Sequence, residues 1–146
     1  MSEIYSSVVD IDLRELTDAD LELVEAARQL IDRESDGTVH TVGAAVRASD
    51  GTVHCAVDLY HFSGGPCAEL VALGTARSNG ARSITTIVAV GSDNRGVVSP
   101  CGRDRQVLLD YHPGIRVMPT ADGPRSASIS DLIALSFVWE PEDEAD

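Results

Sequence analysis

The spacing of hydrophobic residues predicts an amphipathic helix near the start of the chain. In LTDADLELVEAARQLIDRESDG, residues 16–37, apolar side chains recur at helical spacing at Leu21, Val24, Leu30 and Ile31. Thr17 is a candidate N-cap, and Asp20 follows it by three residues, which is the spacing of a capping box. We therefore expect the first helix to begin after Thr17.

Two β-rich runs follow and are predicted to pair as antiparallel strands. They lie in VHTVGAAVRASDGTVHCAVDLYHF, residues 39–62, and are separated by Ser49, Asp50 and Gly51. Asp-Gly between two such runs is a strong hairpin signal, because these residues adopt the backbone conformation that a tight turn needs.

Two further helices are predicted in the second half of the chain. CAELVALGTARSNG, residues 67–80, is rich in helix formers, and its final Asn and Gly80 suit a left-handed C-terminal cap. SPCGRDRQVLLDYHPG, residues 99–114, opens with Pro100 and should stop before Pro113.

Strands and a last short helix complete the predicted order of elements. SITTIVAVG, residues 83–91, is a β-branched run typical of a buried strand, and GIRVMP, residues 114–119, reads as another strand. Residues 120–127 are predicted to be a loop, and SISDLIAL, residues 128–135, a helix capped by Ser128 or Ser130. The expected fold is a single α/β domain over residues 1–146, with a sheet of about five strands covered by helices.

Composition narrows the classes of partner. The formal charge of −13, from 24 acidic and 11 basic residues, would repel a nucleic-acid backbone, so nucleic acid is not an expected partner. Part of this charge lies in EPEDEAD, residues 140–146, which we expect to be a flexible acidic tail. We find no apolar run of membrane-spanning length, and the three cysteines favour reduced thiols or metal ligands over disulfides. A soluble, cytoplasmic protein is therefore expected.

Two short stretches carry the candidate chemistry, GGPCAEL at residues 64–70 and SPCGRDRQ at residues 99–106. Each places a cysteine, Cys67 or Cys101, where a helix is predicted to begin, and the dipole at a helix N-terminus favours the thiolate that binds zinc. Asp104 follows Cys101 by one helical turn, so both side chains can meet one metal ion that Cys67 also binds. Glu69 could then face the open position of the metal without binding it.

The combination resembles the zinc-dependent cytidine deaminase superfamily, whose signature is Cys or His, any residue, Glu, and then Pro-Cys-x-x-Cys. The stretches DGTVHCAVDLYHFSGGPCAELVALGTA, VGSDNRGVVSPCGRDRQVLLDYHPGI and FVWE are similar to blasticidin S deaminase more than to the general cytidine deaminases. The resemblance covers about two thirds of the chain, from Val39 to Trp139. It implies a three-layer domain with a mixed sheet, a homotetramer, and hydrolytic release of ammonia from a free cytosine nucleoside or an analogue such as blasticidin S.

The resemblance also implies roles for individual residues. Cys67 and Cys101 match zinc ligands, and Glu69 matches the glutamate that moves protons between water, ring nitrogen and departing amine. The positions that match the substrate pocket or its aromatic mouth are Thr41, Asp58, Tyr60, Phe137 and Trp139.

Two positions depart from the family pattern. Asp104 stands where the family has its third zinc thiolate, and Asp58 stands where the blasticidin enzyme has Asn and the nucleoside enzymes have Glu. Because a carboxylate is an accepted zinc ligand, Asp104 can substitute for the thiolate. The alternatives are a surface acid paired with Arg103 or Arg105, and a lost zinc site in a non-catalytic binding or assembly subunit.

Two histidines and a third cysteine could also bind a metal, but we expect other roles for them. Neither His54 nor His61 has a spacing that would place it beside Cys101, so we expect hydrogen-bonded or exposed imidazoles at both positions. Cys55 lies within a predicted strand, where a packing role is expected.

Overall fold

Seven strands and four helices make up the part of the chain that the computed structural model describes, which is residues 11–120, 123 and 125–139. In chain order the elements are β1 (Arg14–Glu15), α1 (Asp18–Glu34), β2 (Val42–Ala48), β3 (Val53–Val57), α2 (Ala68–Ser78), β4 (Ile84–Gly91), β5 (Gly96–Val97), α3 (Gly102–Tyr111), β6 (Arg116–Val117), β7 (Arg125–Ser128) and α4 (Ile129–Leu132).

The strands form one mixed sheet in the order β1-β7-β6-β4-β2-β3, with β5 paired to the end of β4. Strands β4 and β6 are parallel, and every other pair is antiparallel. The predicted hairpin is confirmed, since β2 pairs with β3 from Gly43 opposite Val57 to Arg47 opposite Val53. The α/β class and the mixed sheet are therefore as expected.

The expected count of five strands was too low, and the predicted loop at residues 120–127 was partly wrong. Arg125–Ser128 is a strand that pairs with both β6 and β1. Its sequence, RSAS, has none of the β-branched or aromatic residues that signal a strand. Because its pairing partners, and not its own side chains, hold it extended, the sequence carried no local signal for it.

Helix α1 begins as predicted but buries a different set of residues. Thr17 caps it, with Asp20 N–H donating to Thr17 Oγ1 at 3.1 Å and Thr17 N–H donating to Asp20 Oδ2 at 3.0 Å. Of the four predicted apolar positions only Ile31 is fully buried, and Leu21 is 47% exposed. The buried stripe is Leu23, Ala27 and Ile31, spaced by four residues along one face.

The sheet has a helical layer on each face. On one face α1 packs over Ala45, Val88 and Val90, whereas the other face carries α2, α3 and α4. The helix residues in the second layer are Ala68, Ala72, Ala76, Leu108, Ile129 and Leu132. Alternate side chains of β2 and β4 thus enter different layers, and the three-layer arrangement is confirmed. Because α2 and α3 share one face, their N-termini can meet.

Two expectations concern other parts of the chain. The acidic tail expected at residues 140–146 lies outside the described residues. Among the helices that are described, none combines the length and hydrophobicity needed to cross a membrane.

The segment that leads into α2 lies directly against the end of β3. Leu59 N–H donates to Pro66 O at 3.1 Å, so the two segments share a backbone hydrogen bond. A Cβ atom added to Gly65 would lie 1.8 Å from the carbonyl oxygen of Leu59, closer than any non-bonded pair can be. Only glycine permits this approach, which sets the position at which α2 begins.

We expect Gly65→Ala to lower the free energy of unfolding by about 2 kcal/mol or more, because the new methyl group must displace backbone. The matched control is Gly74→Ala in the exposed face of α2, where an added Cβ meets nothing within 4 Å. That change should raise the free energy by about 0.5–1 kcal/mol, since alanine favours helix. Urea unfolding followed by circular dichroism measures both, and equal effects of the two changes would contradict the close approach at Gly65.

Candidate metal and active site

Two helix N-termini bring the candidate thiols together. Cys67 is the N-cap of α2 and Cys101 the N-cap of α3, both with extended backbone. Their Sγ atoms lie 3.5 Å apart although 34 residues separate them in the chain. Cys67 is half-buried and Cys101 is exposed, so the pair lies at the edge of the protein interior.

Asp104 completes the group from the third position of α3. Its carboxylate and the two Sγ atoms offer three ligand atoms that all lie within 4.8 Å of one another. The residue is only 1% exposed. Oδ2 accepts a hydrogen bond from the Cys101 backbone N–H at 3.2 Å, whereas Oδ1 is buried and has no hydrogen-bond partner among the described residues.

The hypothesis of a surface acid paired with a neighbouring arginine was wrong. Arg103 donates to Gly65 O at 2.9 Å, and Arg105 donates to Pro100 O at 3.0 Å and to Leu132 O at 2.7 Å. Asp104 forms no ion pair with either, because its helical position turns its carboxylate inward while both guanidiniums reach backbone carbonyls elsewhere.

The three ligand atoms fit a small divalent cation. Two sulfur atoms that each lie about 2.3 Å from one tetrahedral ion are about 3.8 Å apart, close to the 3.5 Å seen between Cys67 and Cys101. An unpartnered, buried carboxylate oxygen is costly and demands a partner. A cation provides one for Asp104 Oδ1, and three protein ligands leave a fourth position open, as in catalytic zinc sites.

The surroundings of Cys67 differ from the prediction in one respect. Instead of favouring the thiolate, they raise the pKa of the Cys67 thiol to about 12. Burial is the main cause, the hydrogen bond with the Cys101 thiol and the Asp104 charge add to it, and together they outweigh the opposing hydrogen bond from Arg103. A bound cation reverses this balance, because a coordinating thiol is deprotonated outright.

Glu69 lies in the first turn of α2 and is 5% exposed. The pKa of its carboxyl is raised to about 8, mainly by burial, with smaller contributions from the Asp104 charge, a hydrogen bond shared with the Asp104 carboxyl group and the Asp58 charge. A carboxyl group with such a pKa can hold a proton at neutral pH and can also release it. This is the property that a general acid and base needs.

Asp58, Thr41 and Tyr60 lie in the segments that flank β2 and β3, and of the three it is Asp58 whose charge reaches Glu69. Asp58 Oδ1 accepts hydrogen bonds from the backbone N–H groups of Thr41 at 2.7 Å and Val42 at 3.0 Å. This fixes the Asp58 carboxylate against β2, where its charge reaches Glu69. Tyr60 is exposed, and its N–H donates to Val39 O at 3.0 Å.

Trp139 is not beside the ligand group of its own chain. Its ring packs edge-on against Tyr111 with centroids 5.7 Å apart, at the C-terminal end of α3. Asp104 lies near the other end, about 10 Å away along the helix at 1.5 Å per residue. Phe137 lies in the same segment, where its carbonyl accepts a hydrogen bond from Gln106 at 2.6 Å.

The other candidate ligands stay outside the group. Within the described residues, the metal-ligating cluster comprises Cys67, Cys101 and Asp104 alone. His54 contacts Thr52, His61 contacts Ser63, and Cys55 packs against the α1 side of the sheet, as predicted.

Arg103 is a residue of the site that the sequence analysis did not identify. Its guanidinium lies 3.9 Å from Cys67 Sγ and donates to Gly65 O, so it links the start of α3 to the segment before α2. One feature of the sequence could have pointed to Arg103: it is a cation in the first turn of a predicted helix, where the helix dipole disfavours positive charge. The nearby thiols and the Asp104 carboxylate provide the compensating negative charge.

Two surface cavities lie away from this group. One of about 300 Å³ includes Arg95, Met118 and Thr120 in its wall, and another of about 340 Å³ lies between the end of α1 and the turn at Asp93 and Asn94. Neither includes a ligand residue or Glu69.

The sequence was compared with protein-family models and with known proteins, and the relatives it matches are deaminases. No protein-family model matches the chain. The chain is 38% identical over 132 residues to a blasticidin-S deaminase from Bacillus cereus, covering 84% of this chain and 94% of that protein. A cytidine deaminase from Sporosarcina psychrophila is 43% identical over 75 residues, which is 50% of this chain and 54% of that protein.

A solved structure shares the fold. The crystal structure of cytidine deaminase from Burkholderia pseudomallei superposes with a TM-score of 0.68 and 29% identity, covering 84% of this chain and 100% of that one. Because sequence similarity and fold agree over more than four fifths of the chain, this protein belongs to the cytidine deaminase superfamily.

Proposed function

We propose that this protein is a zinc-dependent hydrolytic deaminase that releases ammonia from a free cytosine nucleoside or an aminopyrimidine nucleoside analogue such as blasticidin S. The observation that carries the proposal is the buried Glu69 beside the group of Cys67, Cys101 and Asp104. A general acid and base next to an open metal position is the arrangement that hydrolytic deamination requires.

In this proposal Cys67, Cys101 and Asp104 hold the metal ion. When bound, zinc would lower the pKa of a water molecule, so that the water becomes a nucleophile at neutral pH. The three proposed ligands are all anionic when they bind a metal. The two helix N-termini and Arg103 place positive charge around them.

Glu69 moves the protons. It takes one from the attacking water and transfers it to the ring nitrogen. It then takes the second from the hydroxyl group now on the ring carbon and gives it to the amine, which leaves as ammonia as the carbon–nitrogen bond breaks. Its raised pKa supports this role, because a carboxyl with a pKa of about 8 holds a proton at neutral pH, and the charge of a bound cation would lower that pKa so that the ionised form is also accessible. The carbon that carried the amine is left as a carbonyl.

Asp58, Thr41, Tyr60 and Trp139 are proposed to contact the substrate. One oxygen of Asp58 is already occupied by two backbone N–H groups, which holds the other in a fixed position for a substrate donor such as a hydroxyl group. The net charge of −13 disfavours a polynucleotide and supports a small substrate. The reduced thiols that the site needs suit the cytoplasm.

The alternative of a non-catalytic subunit that has lost its zinc site has less support. A lapsed site has no need to keep a carboxylate buried with one oxygen unpartnered, and such burial is unfavourable without a ligand. Asp104 therefore favours the catalytic hypothesis.

We further propose that the protein is a homotetramer in which Trp139 approaches the site of a neighbouring copy. Large apolar side chains project into solvent beside the site and along the C-terminal segment, among them Phe62 at 88% and Phe137 at 78% exposure. Apolar surface of this kind is typical of an interface.

Glu69→Gln should lower the rate of ammonia release by about 10²–10⁴-fold while metal content stays unchanged, because the amide keeps the size of the side chain but cannot shuttle protons. Release from cytidine, deoxycytidine and blasticidin S is measured beside metal content. Glu25→Gln, on the opposite face of the sheet, is the control and should leave both unchanged. A rate in Glu69→Gln near that of the parent would contradict the assignment.

Cys67→Ala and Cys101→Ala should each lose metal and lower the melting temperature, because a bound ion stabilises the folded state. Cys55→Ala removes a thiol outside the group and should keep its metal. Metal analysis and thermal unfolding test this, and full metal content in either of the first two variants would show that its thiol is not a ligand.

Analytical ultracentrifugation should find a tetramer for the parent, and replacing Phe62 and Phe137 by Ser should shift it to smaller species. Leu21→Ser, an exposed apolar position on α1, is the control and should remain a tetramer. A monomeric parent would exclude a site shared between copies.

A further inference from the structure

The two carboxylate oxygens of Asp104 have different surroundings. Oδ2 accepts the backbone N–H of Cys101 at 3.2 Å, which is half of a capping box at the start of α3. Oδ1 is buried and has no partner among the described residues. The cap therefore explains one oxygen and leaves the other unaccounted for.

We propose that Asp104 binds the metal through Oδ1 alone, and that this single oxygen makes the site select against soft, thiolate-seeking ions. The inference rests on the proposed metal site. A site of two sulfurs and one oxygen accepts zinc and cobalt, but it offers a soft ion such as cadmium one thiolate fewer than a three-cysteine site does.

The geometry favours one oxygen over two. A carboxylate that bound through both oxygens would have to give up the Cys101 N–H, leaving a buried donor without a partner. Because that N–H belongs to a ligand residue, the bond also fixes Cys101 relative to Asp104. Asp104 thus positions one ligand through Oδ2 while it serves as another through Oδ1.

Glu69 offers the competing explanation for Oδ1. Both the Asp104 charge and a hydrogen bond between the two side chains raise the pKa of Glu69. In the absence of metal a protonated Glu69 can therefore donate to Asp104, whereas with both carboxyl groups ionised Oδ1 has no partner. Under that explanation Asp104 would be a partner of the proton carrier and not a metal ligand. The two explanations predict different metal binding in variants at position 104.

Three variants separate the roles of the two oxygens. Asp104→Asn retains an oxygen that can accept the Cys101 N–H but loses the anionic ligand, Asp104→Cys exchanges that ligand for sulfur, and Asp104→Ala removes both functions. Asp110→Asn is the control, since Asp110 lies on the same helix but contacts Gln106.

The experiment titrates chelator-treated protein with cobalt, follows the thiolate-to-cobalt charge-transfer band, and then measures competition between zinc and cadmium. We expect the parent to bind one cobalt ion and Asp104→Asn to bind at least about tenfold more weakly with its fold intact by circular dichroism. Asp104→Cys should strengthen the charge-transfer band and shift the preference toward cadmium by about tenfold or more. Asp110→Asn should match the parent.

Two results would overturn the inference while leaving a deaminase in place. One is an unchanged zinc-to-cadmium preference in a metal-binding Asp104→Cys, and the other is undiminished cobalt binding in a folded Asp104→Asn. A parent that binds no metal overturns it as well, and a parent that also releases no ammonia from any of the three substrates contradicts the proposed function itself.

Discussion

The burial of the Asp104 carboxylate beside two thiols is the constraint on which the site depends. One carboxylate and two thiols that a bound cation would ionise lie within 4.8 Å of one another, and one carboxylate oxygen accepts no hydrogen bond from the described residues. Such an arrangement is unfavourable by itself, as the raised pKa values of Cys67 and Glu69 indicate. A cation would remove the repulsion and partner the free oxygen, which supports the proposed metal site.

The fold makes this concentration of negative charge possible. Helices α2 and α3 pack on the same face of the sheet, and each begins at one of the two cysteines. Their N-terminal dipoles point into the group, and Arg103 adds a full charge from α3. The close approach at Gly65 fixes the start of α2, because no side chain fits between that residue and Leu59. Sheet packing and local backbone geometry therefore serve the same site.

The proposed reaction centre and one of the proposed substrate contacts, Trp139, lie at different places in the chain's fold. Glu69 and the ligand residues form a complete group within one chain, whereas Trp139 lies at the far end of α3 against Tyr111. This division supports the proposed homotetramer, in which a neighbouring copy would complete the substrate pocket. Neither of the two surface cavities described above includes Glu69.

Local features of the sequence determined the helix starts at Thr17, Cys67 and Cys101 and the hairpin at Asp50 and Gly51. These signals act between residues a few positions apart, so they need no knowledge of the fold. The family motif then brought Cys67, Glu69 and Cys101 together as a hypothesis. Tertiary structure decided three other features. It made RSAS a strand, β7, through pairing with its neighbours, and it determined which face of α1 is buried. Above all, it determined that the Asp104 side chain is buried. Whether that carboxylate faced solvent, an arginine or the thiols depended on how two helices whose N-caps lie 34 residues apart pack on one sheet, which no local pattern of side chains encodes.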